Sequence, residues 1–482
     1  MLLRRFYDDN LAQASYLVGC AATGEAIVVD PNLDAAQYVA AAEAEGLRIT
    51  HVTETHIHAD FVSGSAILAR RTDAQLLLSG EGGSDWQYSA SARAGATLLR
   101  DGDSFVVGNI RFDTLHTPGH SPEHLSFVMT DTRATSRPMG ALTGDFIFVG
   151  DVGRPDLLER AARQAGTMEG SARQLFASLQ KFRALPDYLQ LWPGHGAGSA
   201  CGKALGAVPS TTVGYEKIAN WAFGIADEDE FVRTVLAGQP ESPRYFATMK
   251  RINKEGSGRA VADLLPLQLP ATDASAMLAD RNAVLIDVRP APAFTAAHTK
   301  GAISIPFNRS FARWVGEFVA YDRDIVLIVD DTNTALLGSM VRDLALIGFD
   351  RVVGYLSAEQ LLAGARESGT LDRVPQLSAT ALVQAVESGD AAVVDVRSNV
   401  EFASGHLPGA INIPMGELDA RSIEVPRERP VVLHCQSGAR SAIAVSVLRA
   451  RGFENAMNLT GGINEWRHEK LPVETGTDAG AT

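Results

Sequence analysis

Residues 55–61 read THIHADF: Thr55, His56, Ile57, His58, Ala59, Asp60, Phe61. The stretch closes the apolar, β-branched run ITHVTET (49–55), so it stands at a strand end. His56 and His58 are two residues apart, and Asp60 is two further on. Working outward, TPGHSPEH supplies His120 and His124, LTGDFIF supplies Asp145 at another strand end, and WPGHG supplies His195. Seven of the eleven histidines precede position 200. Neutral imidazole and carboxylate are the ligands expected for iron or zinc. A lone histidine is more often a core or surface residue, and His51 and His116 fit that simpler role. Four such groups at strand ends of one domain point to a metal centre.

The surrounding text is that of a layered α/β domain. EAIVVD (25–30), ITHVTET, NIRFDTLH (109–116) and LQLWPGH (189–195) read as strands separated by turns and helices. Each ends in a polar cluster, where strand ends in such folds present their chemistry. PESPRYFATMKRINKEGSGR (240–259) is rich in proline, glycine and charge and reads as the exit from this domain. The expected domain is 1–250, with a linker over 250–267.

The chain has 482 residues, which predicts about three domains. Hydrophobic residues make up 46%, enough for sizeable cores rather than disorder. Asp and Glu outnumber Lys and Arg, 57 to 43, for a net charge of −14. That balance argues against nucleic-acid partners and polybasic membrane binding. MLLRRFYDDN has no apolar run behind its arginines, so no secretory signal is expected, and no stretch approaches the ~18 apolar residues of a membrane span. The expected location is cytoplasmic. Three separated cysteines, Cys20, Cys201 and Cys435, make no disulfide framework. Any cysteine with a role works alone, in a reducing compartment.

The second half contains a repeat. DVRPAPAFTAAHTKGAISIP (287–306) aligns without gaps with DVRSNVEFASGHLPGAINIP (395–414), with ten of twenty positions identical. The spacing is too long for a solenoid unit, so it marks two copies of one α/β domain, 268–366 and 374–476. The small, polar tail TGTDAGAT (475–482) is expected to fray.

Only the second copy contains HCQSGARS (434–441). Cys435 follows the apolar run VVL, and a helix begins just after Gly438. Backbone N–H groups of Gln436, Ser437, Gly438 and Ala439 and a helix N-terminus are thereby aimed at the sulfur. Such donors stabilise a thiolate or persulfide anion, and Arg440 adds positive charge for sulfite or thiosulfate. Anchoring the alignment at Gly348-Phe349 and Gly452-Phe453 sets Asp331 opposite Cys435 and Leu336 opposite Arg440. A carboxylate cannot carry sulfane sulfur, so the first copy is expected to be inactive.

HxHxD, GH, TGD and PGH, in that order over about 1–235, resemble the metallo-β-lactamase superfamily, which implies a four-layer αβ/βα sandwich. Two-metal members carry HxHxDH; here Phe61 replaces the last histidine, and an apolar ring cannot ligate metal. The single-metal branch it most resembles is the persulfide dioxygenases. That resemblance implies one Fe(II) per chain on His56, His120 and Asp145. Two imidazoles and one carboxylate leave positions open for O2 and a sulfur substrate. His58, Asp60 and His195 become supporting residues that orient ligands or water. Within DVGRPDL (151–157), Arg154 either binds an anionic group of a thiol carrier or braces its loop. Cys201, in WPGHGAGSACGK, either relays or guards the persulfide or packs as a small buried hydrophobe. Tyr215 lines the pocket on the resemblance alone, and Cys20 is assigned no role.

CxxGxR, flanked by DVR, GHLPGAINIP and GGINEW (461–466), resembles the active loop of rhodaneses. Phosphatase loops place five residues between Cys and Arg, whereas four intervene here. The implied whole is a dioxygenase fused to an inactive and an active rhodanese-like domain. The implied substrates are a thiol persulfide (of glutathione, coenzyme A or similar), O2 and sulfite or thiosulfate. A homo-oligomer, dimer or tetramer, is expected. The rival expectations are a zinc thioester hydrolase like glyoxalase II and a non-enzymatic carrier of sulfane sulfur.

Overall fold

The computed structural model describes residues 1–157, 159, 166–203, 205–239, 241–256, 266–279 and 282–476. It divides into two compact units, Met1–Asp263 with Arg342–Gly348, and Leu264–Val341 with Phe349–Thr482.

The first unit holds two six-stranded sheets, each built from strands that are neighbours in the chain. One runs from Leu2–Asp8 to Thr97–Leu99, the other from Ser104–Val107 to Thr211–Thr212. The strand Gln13–Cys20 shows why the sheets stack: every residue in it is buried. Tyr16 and Val18 face the interior shared by the sheets, with Phe112, Phe127 and Trp192. Leu17, on the opposite face, packs with Val28, Tyr38 and Leu68. Successive side chains alternate across a strand, so a run apolar at every position must be covered on both faces. Helix Met168–Arg183 covers the outer face of the second sheet through Leu175, Leu179 and Phe182, one stripe at helical spacing. The result is the expected four-layer sandwich. The strands expected at 25–30, 49–55, 109–116 and 189–195 are present as Glu25–Val29, Arg48–Thr53, Ile110–His116 and Gln190–Pro193.

The expected linker begins differently. Residues Phe246–Glu255 form a helix of the first unit, and its Asn253 is buried. Asn253 Nδ2 donates to the carbonyls of His58 (2.9 Å) and Phe61 (2.7 Å), and its Oδ1 accepts the N–H of Ser63 (2.9 Å). Buried backbone groups need partners, and this helix supplies them to the loop carrying THIHADF. Residues 257–265 of the linker, and 477–482 of the tail, lie outside the described residues. Among the described residues, no helix is long and apolar enough to cross a membrane.

The second unit contains two five-stranded parallel sheets of matching order. The residues shared by the sequence repeat are their scaffold. Arg397 sends Nε (3.0 Å) and Nη2 (2.6 Å) to the Asp395 carboxylate and Nη2 to Gly405 O. Arg289 does the same with Asp287 and Ala297 O. The His406 ring stacks on Phe402 with centroids 3.7 Å apart, and His298 on Phe294 at 3.9 Å.

Sheet register corrects the alignment of the two copies. Asp287 pairs with Ile328, and Asp395 pairs with His434. The next residues, Val329 and Cys435, are therefore equivalent, and Asp331 is not the counterpart of Cys435. The Gly-Phe anchor misled because the intervening loop is longer in the first copy, where Asp331–Leu336 winds into a 3₁₀ turn.

Arg397→Ala leaves a buried carboxylate without its cation. Such losses cost roughly 3–5 kcal/mol. Calorimetry should show the endotherm of the second unit shifted down and that of the first unchanged.

Candidate functional site

In the first unit, the loops after Thr53, His116, Gly144 and Pro193 deliver the sequence-expected residues to one place. His56, His120 and Asp145 are buried, with one donor atom from each within 4.8 Å of the others. Asp145 Oδ2 lies 3.9 Å from His56 Nε2 and 3.6 Å from His120 Nε2. Burial, reinforced by neighbouring imidazoles and Lys250, holds both histidines well below their usual range, so they are the neutral ligand form. Burial also pushes Asp145 up to about 6. His56 Nε2 and both Asp145 oxygens make no hydrogen bond. Buried polar atoms are ordinarily satisfied; three such donors, converging, fit a metal ion.

The residues around them set that geometry. Thr55 Oγ1 lies 3.0 Å from His56 Nδ1, which directs Nε2 inward. Asp30 accepts from Thr55 N (2.6 Å) and from Thr55 Oγ1 (3.0 Å), and lies 3.1 Å from His58 Nε2. Against the cost of burial, Asp30 holds His58 up at about 9. His58 therefore supports the loop, its ring tilted 36° to that of Phe61 at 4.3 Å between centroids. His124 Nε2 accepts the N–H of Asp145 (3.1 Å). Gly194 is required beside it: a Cβ there would sit 2.7 Å from Asp145 Oδ1.

Asp60, His195 and Cys201 form a second buried group of the same tightness. His195 Nε2 lies 3.1 Å from Asp60 and 3.4 Å from Asp145, and its Nδ1 faces Ala12 O at 2.9 Å. Although burial opposes it, the Asp145 and Asp60 carboxylates hold His195 well above its usual range. Burial pushes the Cys201 thiol up to about 12, so this cysteine rests protonated.

Two further residues stand apart from these groups. Arg154 is fully buried, gripping Asp156 through Nε (3.0 Å) and Nη2 (2.8 Å) and Ala200 O through Nη1 (2.9 Å). It braces the loop beside Cys201 and is not placed to meet a carrier. Tyr215 is 57% exposed and does not line the buried cluster. Sequence reading missed Asp30, Asn253 and Glu123, whose Oε1 accepts the N–H of Ile57 (2.9 Å). It also missed Lys250, placed over the Trp86 ring at 5.0 Å. The one available signal was the Asp ending EAIVVD, a charge directly after the apolar run AIVV.

In the second unit, Cys435 is buried at the end of strand Val431–His434, directly before helix Ala439–Ala450. Its Sγ accepts from Gly438 N (3.2 Å) and Ser441 Oγ (3.6 Å). Gly438 has φ +91°, which turns its N–H onto the sulfur. GGINEW backs this loop: Ile463 N donates to Cys435 O (2.9 Å) and Asn464 N to Gln436 O (3.1 Å). A Cβ on Gly462 would meet Cys435 O at 2.4 Å. Gln436 reaches the Asn464 side chain, and Ser437 and Ala439 face solvent. Arg440 is clamped by Glu401 through Nη1 (2.9 Å) and Nη2 (2.6 Å), and these bonds hold Glu401 down at about 2. Its charge is thus partly spent before any anion arrives.

Comparison with known proteins places both halves. The metallo-beta-lactamase superfamily model matches residues 8–195, and the rhodanese-like domain model matches 270–358 and 378–469. Persulfide dioxygenase ETHE1 of Bos taurus is 31% identical over 200 residues, 40% of this chain and 68% of that protein. A sulfurtransferase of Allochromatium vinosum is 39% identical over 87 residues, 18% of this chain and 81% of that protein. The crystal structure of a metallo-beta-lactamase from Staphylococcus aureus superposes with a TM-score of 0.68 at 43% identity, covering 74% of this chain and 99% of that one. The chain belongs to the metallo-β-lactamase superfamily, as a homologue of persulfide dioxygenases fused to two rhodanese-like domains.

Proposed function

We propose that the chain is a persulfide dioxygenase coupled to a sulfurtransferase. The observation that carries this reading is the converging set of His56, His120 and Asp145, with His56 Nε2 and both Asp145 oxygens unsatisfied, in a chain that also cradles Cys435. The activity in the name of the cattle relative supports it. One Fe(II), when bound, supplies O2 activation and a seat for the persulfide sulfur. The protein's part is to keep both imidazoles neutral, to aim them through Thr55 and Asp30, and to enclose the set in a buried site. The net reaction is R–S–SH + O2 + H2O → R–SH + SO3²⁻ + 2H⁺.

At Cys435 the thiolate attacks the outer sulfur of a second persulfide, giving Cys435–S–S⁻ and R–SH. Sulfite then attacks that outer sulfur, the S–S bond to Cys435 breaks, and thiosulfate leaves with the thiolate restored. The Gly438 N–H stabilises negative charge on the cysteine sulfur at both stages. Fusion keeps sulfite at high effective concentration near its acceptor. The first copy has Val329 at the equivalent strand end, so it has no sulfur nucleophile there.

The group Asp60, His195 and Cys201 favours a second reading, a two-metal thioester hydrolase. Metal analysis of anaerobically purified protein decides: about one iron per chain is expected, and two zincs with thioesterase activity would overturn the proposal. Cys435→Ser should keep O2 uptake on persulfide addition but release sulfite in place of thiosulfate. Loss of O2 uptake in that variant would refute two separate sites. Asp145→Ala should lose iron and O2 uptake while thiosulfate–thiol exchange persists.

A further inference from the structure

The first rhodanese-like copy has Val329 where the second has Cys435, yet it keeps a cavity of about 380 Å³. This lies in the size range of small-molecule sites, roughly 300–1,000 Å³. The cavity opens at the carboxyl ends of strands Ala283–Asp287 and Asp324–Val329, where layered α/β domains bind ligands. In the second copy the same strand ends carry the sulfur site. Its floor persists because the Asp287–Arg289 pair matches Asp395–Arg397. Its space exists because the loop after Val329 is longer and winds into the 3₁₀ turn Asp331–Leu336.

The lining specifies a ligand. Arg289 commits Nε and Nη2 to Asp287 and Ala297 O, so its charge is balanced. The half-buried Asp330 carboxylate adds negative charge at the wall. Sulfite, thiosulfate and a carboxylate-bearing peptide thiol are all disfavoured there. What remains is apolar wall from Phe307, Leu336 and Met340, with two asparagines at its edge, the exposed Asn308, whose Oδ1 accepts the N–H of Ser310 (2.8 Å), and the half-buried Asn333. Burying an amide group requires a partner; Asn308 has its Nδ2 donors and Asn333 its whole side-chain amide to offer one. The pocket fits an uncharged chain that carries amides of its own.

Its position gives that chain a purpose. Ala439 of the second copy lines the same cavity. It directly follows Gly438, whose N–H lies on Cys435 Sγ. The copies are fixed together there: Ser446, on the helix starting at Ala439, accepts the N–H of Ser304 through its Oγ at 2.9 Å. We propose that the cavity of the first copy seats the carrier arm of the thiol that exchanges sulfur with Cys435, and that this arm is of the pantetheine type. The inference rests on Cys435 being the sulfur carrier. The step is Cys435–S–S⁻ + R–SH → Cys435–S⁻ + R–S–SH. The thiol sulfur bonds the outer sulfur, the bond to Cys435 breaks, and the thiol proton ends on the persulfide; no external oxidant is needed.

The test uses the full chain with thiosulfate as donor and cyanide, pantetheine, coenzyme A or glutathione as acceptor. Wild type should show a KM for pantetheine and coenzyme A about ten-fold or more below that for glutathione. Leu336 is 42% exposed, so Leu336→Trp fills the cavity without disturbing a core. It should raise the KM for pantetheine about ten-fold or more and leave turnover with cyanide, which has no arm, as in wild type. Titration calorimetry with S-methyl-pantetheine, which cannot react, should show binding to wild type that Leu336→Trp abolishes. Equal KM values for pantetheine and glutathione, or an unchanged pantetheine KM in the variant, would overturn the inference. Absence of cyanide turnover in wild type would instead overturn the sulfur-transfer reading beneath it, and the calorimetry would still report on the cavity.

Discussion

The candidate metal centre depends on one buried carboxylate. Asp30 ends an apolar strand with φ +53°, and its oxygens reach the backbone and hydroxyl of Thr55 and the ring of His58. Thr55 in turn holds His56 by Nδ1. A single acceptor thus fixes the start of the loop, the direction of one ligand and the retreat of its neighbouring histidine. Without it, the HxHxD segment would present two equivalent imidazoles to the cluster. With it, His56 faces His120 and Asp145 while His58 turns to a supporting role. A buried network of this kind is costly when half satisfied and rigid when complete.

The cysteine loop is held by a different means. Among the described residues, no charged side chain hydrogen-bonds Cys435; backbone and one hydroxyl, that of Ser441, position it. Gly438 turns an N–H onto the sulfur, and the start of helix Gly462–His468 takes up the carbonyls of Cys435 and Gln436. Arg440 acts one layer out, paired with Glu401, which also caps the helix Asn399–Ala403. The loop is therefore braced from both sides of the sequence, by the repeat motif before it and by GGINEW after it.

Much of this was legible in the chain because the decisive residues are contiguous. THIHADF, TGD and CQSGAR each hold their chemistry within a few residues, and strand-end placement follows from the apolar runs before them. What was not legible comes from distance. Asn253 joins the THIHADF loop from a segment whose prolines, glycines and charges read as linker. Glu123 and Lys250 are single residues whose partners lie far along the chain. Arg154 was ambiguous because an arginine two residues from an aspartate reads equally as a free anion site or a closed pair; only burial separates the two. The first copy was aligned by its most conspicuous late landmark, and the longer loop displaced the match onto Asp331. Sheet register, which sequence does not display, moved it to Val329.

The Asp–Arg pair and the Phe–His stack recur in both copies, whereas the cysteine loop occurs in one. Stability is lodged in residues that both copies share. A duplicated domain of this design can lose its nucleophile, lengthen its loop and change what it holds, all without unfolding. Such a scaffold gives evolution a neutral path: the spare copy drifts under no penalty in foldedness, and its vacated crevice becomes raw material for a new specificity beside the old reaction.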